Sequence, residues 1–90
     1  MPRARDDSLI AAFAVVLRQA RLAMSMTQED VARLADVDRT FIGMLESGRR
    51  QPSLSVLCAL EQAVEEKPGA LLAKAYALSQ RGSGRNAGRG

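Results

Sequence analysis

The stretch MTQEDVARLADVDRTFIGMLESGRRQPSL, from Met26 to Leu54, constrains the fold more than any other part of this chain, because it holds two helix starts eleven residues apart. Thr27 offers an N-cap hydroxyl, Asp30 three positions later completes a short capping box, and Met26 is placed to staple onto Val31. Asp38 is the second N-cap, with Val37 placed to staple onto Ile42. Val31, Ala32, Leu34 and Ala35 give the first helix one apolar stripe. Ile42 and Leu45, flanked by Phe41, do the same for the second. Only the turn Asp36 to Asp38 separates the two helices. Left on the outer face of the second are Arg39, Thr40, Gly43, Met44 and Ser47. Two short helices crossing steeply need a small residue at the crossing, here Ala32, and a polar outer face on the second helix suits it to the DNA major groove.

Ninety residues make one small domain, which buries only about 60–65% of its unfolded surface. Association with a second copy is a natural supplement to such a core. Cys58 is alone, which excludes an internal disulfide and fits a reducing cytoplasm. There is no histidine, so the usual general base and zinc ligand are missing, and no catalytic residue, metal site or cofactor is expected. The apolar run Leu9 to Leu17 behind Arg3 and Arg5 imitates a secretion signal, but Asp6 and Asp7 intervene and Arg18 follows at once. It is also far short of the about 20 residues that span a bilayer, so it reads as a buried first helix and no membrane partner is expected.

The charge is informative once divided. Between Ser8 and Gln80 eight basic residues balance eight acidic ones, and Arg3 and Arg5 cancel Asp6 and Asp7. The net charge of +3 therefore resides in Arg81, Arg85 and Arg89. What bears on function is placement: Arg39, Arg49 and Arg50 gather at the second helix of the pair and the loop after it, while Glu61, Glu65 and Glu66 cluster later. A neutral domain so divided is dipolar and orients toward phosphate.

A coarse pass predicts an all-α chain of five helices. An N-terminal arm covers residues 1–7, the domain 8–80, with the helix pair at about 27–47, and a disordered Arg/Gly tail 81–90. Helix one is expected from Ser8 to Met24, capped by Asp7 or Ser8, with Phe13, Leu17 and Ala20 inward. After the loop Gly48 to Pro52, in which Gly48 suits a left-handed cap, Ser53 caps helix four from Leu54 to Glu65. Helix five is expected to open at Pro68 and run to Leu78.

Over Phe13 to Leu72 the sequence resembles the lambda-repressor and Cro-like family, also called the xenobiotic-response-element family. The segment DRTFIGMLESGRRQPSL, with LRQAR before it, is similar to small controller proteins of restriction–modification systems. The resemblance implies a five-helix lambda-repressor-like domain with a helix-turn-helix, in which Arg21 and Glu46 form a partly buried structural ion pair. A Gln at position 28 is usual in the family. Asp36 and Ser25 stand where the family commonly has Gly, and Met44 where it often has a polar base reader.

The expected DNA contacts follow. Gln28 opens the first helix of the pair, where free N–H groups and the amide can hold a phosphate. Arg39 suits guanine O6 and N7 or a phosphate, Thr40 a base edge or thymine methyl, and Met44 a methyl group. Gly43, which costs a helix about 1 kcal/mol relative to Ala, points to close approach of DNA or a partner, or is simply a tolerated surface Gly. Arg49 and Arg50 are candidate phosphate clamps, with Ser47 beside them. Helix five is apolar on more than one face, so Leu71, Ala75, Tyr76 and Leu78 are expected at a two-fold dimer interface with helix four. The resulting expectation is a sequence-specific, homodimeric transcriptional regulator of double-stranded DNA on an inverted-repeat operator. An antitoxin or controller autoregulating its own operon, and a protein-interaction module using the same fold on a protein partner, remain as alternatives; an enzyme does not fit.

Overall fold

The computed structural model describes residues 5–82, so residues 1–4 of the arm and the part of the Arg/Gly tail from 83 onward lie outside the described residues. Five helices and no strand are found among those described: α1 Asp7–Ala23, α2 Gln28–Ala35, α3 Arg39–Glu46, α4 Leu54–Ala63 and α5 Ala70–Gly82. Among the described residues no single helix is long and apolar enough to cross a membrane.

Three of the five helices begin where a neighbouring side chain replaces a missing backbone partner. Asp6 caps α1, one residue earlier than expected, by accepting the Leu9 N–H at 3.1 Å. The capping box at α2 is complete: the Asp30 N–H donates to Thr27 Oγ1 at 3.0 Å, and the Thr27 N–H to Asp30 Oδ2 at 2.9 Å. The Ser53 hydroxyl accepts the Val56 N–H at 3.1 Å. Asp38 occupies the N-cap position of α3, but its carboxylate makes no cap hydrogen bond.

Four of the helices end alike. Ser25, Asp36, Gly48 and Glu65 all adopt left-handed backbone, with φ of 57°, 59°, 77° and 59°. Each is followed by an N–H that reaches back into the last turn, as from Met26 to the Arg21 carbonyl and from Arg49 to the Met44 carbonyl. The paired bonds are those of the Schellman motif, which turns the chain sharply and satisfies otherwise orphaned carbonyls. Only one of the four positions carries the glycine that this conformation favours.

α1 supplies the centre of the core with Phe13, Val16 and Leu17, against which Val31, Ala35, Ile42, Leu45, Leu57, Leu60, Leu71 and Ala75 close. α5 packs along α1, while α2 contacts both α3 and α4. Three expectations are corrected. Leu34 is 52% exposed: on a helix of eight residues the contacts with α3 and α4 cover Val31, Ala32 and Ala35 and leave it at the edge. α5 starts at Ala70 rather than Pro68, because Gly69 takes φ 85° and cannot be helical. Glu61 belongs to no surface acidic cluster; it is 2% exposed, and its carboxylate accepts the N–H groups of Gly69 at 2.9 Å and Leu71 at 3.0 Å. A carboxylate at the positive end of α5 thereby supplies the cap that the local sequence does not.

The dimer residues also need correction. Leu71 and Ala75 are both 0% exposed and Leu78 packs against the core, since this stripe of α5 faces α1. Tyr76 stays outside, on the adjoining stripe with Leu72. Leu71 and Ala75 therefore have no surface left for a second copy, and Leu78 keeps only part of its own.

Candidate nucleic-acid interface

The capped start of α2 and the left-handed Asp36 set α3 across α2 so that Ile42 and Leu45 enter the core. The opposite face of α3 is thereby turned out. On it Arg39, Thr40, Gly43, Met44, Ser47 and Arg49 line one shallow depression. Gln28 borders it: an added Cβ at Gly43 would lie 3.9 Å from Gln28 Oε1. Seven of the eight expected contact residues therefore share one surface. Arg50 does not line it, lying instead beside an apolar groove with Leu9, Phe13, Pro52, Leu54 and Leu72.

This surface carries the exposed cations Arg39 and Arg49 and two hydroxyls, with no carboxylate among its lining residues. The Ser47 hydroxyl donates to the Met44 carbonyl at 3.2 Å, which leaves its oxygen able to accept but directs its proton inward. The loop after α3 is held from a distance in sequence. The Arg5 guanidinium donates to the Gly48 carbonyl at 3.2 Å and the Arg49 carbonyl at 3.4 Å, and pairs with Asp7 at 2.9 Å. Nothing local in the sequence marks Arg5 for this role.

Beneath the surface lies the ion pair that the family resemblance implied. Arg21 Nε and Nη2 donate to the two Glu46 carboxylate oxygens at 2.7 and 2.9 Å, and Nη1 donates to the Met26 carbonyl at 2.9 Å. The side chains are only 10% and 4% exposed. Hydrogen bonding to Glu46 raises the Arg21 pKa further, against the opposing effect of burial, so the guanidinium stays charged. Removing one partner would strand a buried charge, at a cost of about 3–5 kcal/mol. The pair ties the end of α1 to the end of α3 and so fixes the angle of the outward face. Gln28 is more than a surface donor: its Nε2 donates to Glu46 Oε1 at 3.1 Å, and its Oε1 accepts from Arg39 Nη1 at 3.4 Å.

Comparison with known proteins finds relatives of this sequence and fold. A family model described as "Helix-turn-helix" matches residues 17–71. A Bacillus subtilis protein described as the uncharacterized HTH-type transcriptional regulator YqaF is 42% identical over 40 residues, 44% of this chain. The match spans about half of that relative, 53% of its length. The restriction–modification controller protein C.AhdI from Aeromonas hydrophila is similar in structure, with TM-score 0.67 and 34% identity, covering 69% of this chain and 94% of that one. The controller protein C.Esp1396I, solved as a tetramer in complex with its natural 35 base-pair operator, superposes with TM-score 0.70 and 25% identity over 79% of this chain and 93% of its own.

Proposed function

This chain belongs to the helix-turn-helix family of transcriptional regulators, and from that premise we propose that it is a homodimeric, sequence-specific regulator of the restriction–modification controller type, acting on an inverted-repeat operator. The observation that carries the reading is the outward face of α3, where Arg39, Thr40, Gly43, Met44, Ser47 and Arg49 meet on one surface beside Gln28. Arg39 and Thr40 open α3, the end that a recognition helix directs at base edges, and Met44 one turn on meets a thymine methyl. Arg49 in the following loop takes phosphate, which positions the domain without reading sequence. Arg50, placed beside the apolar groove, serves at the rim.

The dimer rests on a different surface. Leu54 at 81% exposure, Tyr76 at 58% and Leu72 at 42% lie on α4 and α5, and Leu54 and Leu72 line a groove of about 160 Å³ together with Leu9, Phe13 and Leu57. Exposed leucines beside a groove of their own kind suit a self-complementary two-fold contact. Such a dimer sets two copies of α3 about 34 Å apart, one turn of DNA.

Selection from a randomised duplex library at near-physiological salt tests the reading. An enriched inverted repeat with half-sites about one turn apart, relaxed by Arg39→Ala and weakened by Leu72→Glu, is the expected result. Salt-sensitive retention without any enriched motif would overturn it.

A further inference from the structure

Of the arginines expected on DNA, Arg50 alone stands away from the outward face of α3. It lines instead the groove of about 160 Å³ formed with residues of α1, α4 and α5. The floor of that groove is Ile10, Phe13 and Leu57, each more than nine-tenths buried, and Leu54 and Leu72 stand exposed beside them. We propose that the groove binds a small aromatic carboxylate, with Arg50 holding its anionic group, and that this ligand and the second copy of the chain compete for it. The competition rests on the dimer reading above, whereas the binding stands on the groove alone.

Size and charge together define the ligand. An apolar cavity of about 150 Å³ holds one benzene ring, so a groove of about 160 Å³ suits a single ring better than a fused or long-chain molecule. Phe13 in the floor gives such a ring an aromatic neighbour. The sign of the charge comes from Arg50, which is exposed and paired with no carboxylate among the described residues. None of the residues lining the groove is acidic. A guanidinium presents paired N–H groups that match the two oxygens of a carboxylate. A neutral hydrocarbon would leave Arg50 unused, and a DNA phosphate would satisfy the cation but leave the apolar floor uncovered. A ring bearing a carboxylate uses both, in the usual pattern of an apolar site with one polar group that orients the ligand.

The regulatory consequence follows from the same side chains. Leu54 and Leu72 border the groove and are also the leucines that the proposed two-fold contact covers. A ring seated beside them takes surface that the second copy needs. A ligand that binds the protomer and not the dimer raises the dimer dissociation constant by a factor of 1 + [L]/Kd for each protomer, and so by its square for the pair. At ten times Kd the rise is about a hundredfold. An acid of this class would thereby lower operator occupancy without touching α3.

Benzoate is the probe, and benzyl alcohol, which keeps the ring without the charge, is its control. Titration of the isotope-labelled full chain, followed by two-dimensional NMR, should show benzoate binding with a Kd of about 1 mM or below. The shifts should centre on Ile10, Phe13, Leu57 and Arg50. Arg50→Gln should weaken benzoate about tenfold and leave the weaker binding of benzyl alcohol as it was. Sedimentation equilibrium of the wild type should show the dimer dissociation constant rising with benzoate, and rising less in Arg50→Gln at the same concentration. Absence of benzoate shifts around the groove, or equal benzoate binding by wild type and Arg50→Gln, would overturn the proposal and leave the dimer reading standing. Benzoate that binds there while the dimer dissociation constant stays fixed would overturn the competition. A wild-type chain that stays monomeric without benzoate would remove the dimer reading and the competition with it, and the titration would then decide the binding by itself.

Discussion

Gly43→Ala should move stability and DNA affinity in opposite directions. Gly43 lies within the helical span of α3, and only its partly buried outer face meets the surroundings. A Cβ placed there would find a single neighbour, Gln28 Oε1 at 3.9 Å, which is ordinary van der Waals contact. Nothing in the packing of the protein itself therefore requires glycine. Alanine gains the helix propensity that glycine forgoes, about 0.5–1 kcal/mol in so short a helix. For a domain of this size that raises the melting temperature by about 2–8 °C. The same methyl projects into the depression between Arg39 and Arg49, where DNA must approach if α3 lies in the groove. Operator affinity should fall about tenfold, roughly 1.4 kcal/mol. Thermal denaturation followed by circular dichroism and operator titration by fluorescence anisotropy read the two effects separately. A variant that is more stable and binds undiminished would refute the close approach at Gly43. A variant that is less stable would refute the helix-propensity argument, and any loss of binding could then be a loss of folded protein.

Two further perturbations bear on the scaffold. Ser25→Gly, Asp36→Gly and Glu65→Gly each relieve a left-handed residue, and each should add about 0.5–1 kcal/mol in urea denaturation, after allowance for the flexibility that glycine gives the unfolded chain. Glu65 should gain most and Asp36 least, since a short Asx side chain tolerates this conformation best; three unchanged midpoints would show that the turns are unstrained. Asp30 has a lowered pKa, mainly through the hydrogen bond from the Thr27 backbone N–H and then through the Thr27 side chain. Its contribution is complete above the ordinary carboxylate range and is lost as pH falls through the lowered value, so the stability gap between wild type and Asp30→Asn should hold steady down to about pH 4 and narrow below it. A gap that narrows on the alkaline side would contradict the capping box.

What the sequence makes legible is the short-range part of the fold. Thr27 and Asp30 lie three residues apart, and Ser53 three before Val56, so the bonds that start α2 and α4 are written in the local spacing. The left-handed turn at Gly48 is legible from the glycine itself, whereas the one at Asp36 is legible only through the family resemblance, in which Gly is common at that position. Glu61 is not, because the N–H groups it caps are eight and ten residues away and reach it only after α4 and α5 have docked. Nor is Gln28, whose amide is defined by Glu46, eighteen positions on, and by Arg39, eleven on. Composition marks these residues as polar, and only the tertiary arrangement gives them these hydrogen-bond partners.

The ambiguity of α5 is of another kind, and it decides where the second copy of the proposed dimer would sit. Leu71, Ala75 and Leu78 form one apolar stripe at helical spacing, and Leu72 and Tyr76 form another about 100° round the helix. Either stripe satisfies the pattern of a core-facing helix. The choice is made by α1, which takes Leu71 and Ala75 into the interior and leaves Leu72 and Tyr76 on the side where Leu54 stands exposed. A charge at position 71 is therefore expected to unfold the protomer, whereas one at position 72 is expected to leave the core intact and to weaken only the proposed association. That difference separates the proposed dimer contact from a core contact on adjacent residues of one helix, and it is why Leu72→Glu is the variant that tests the proposed dimer without disturbing the core.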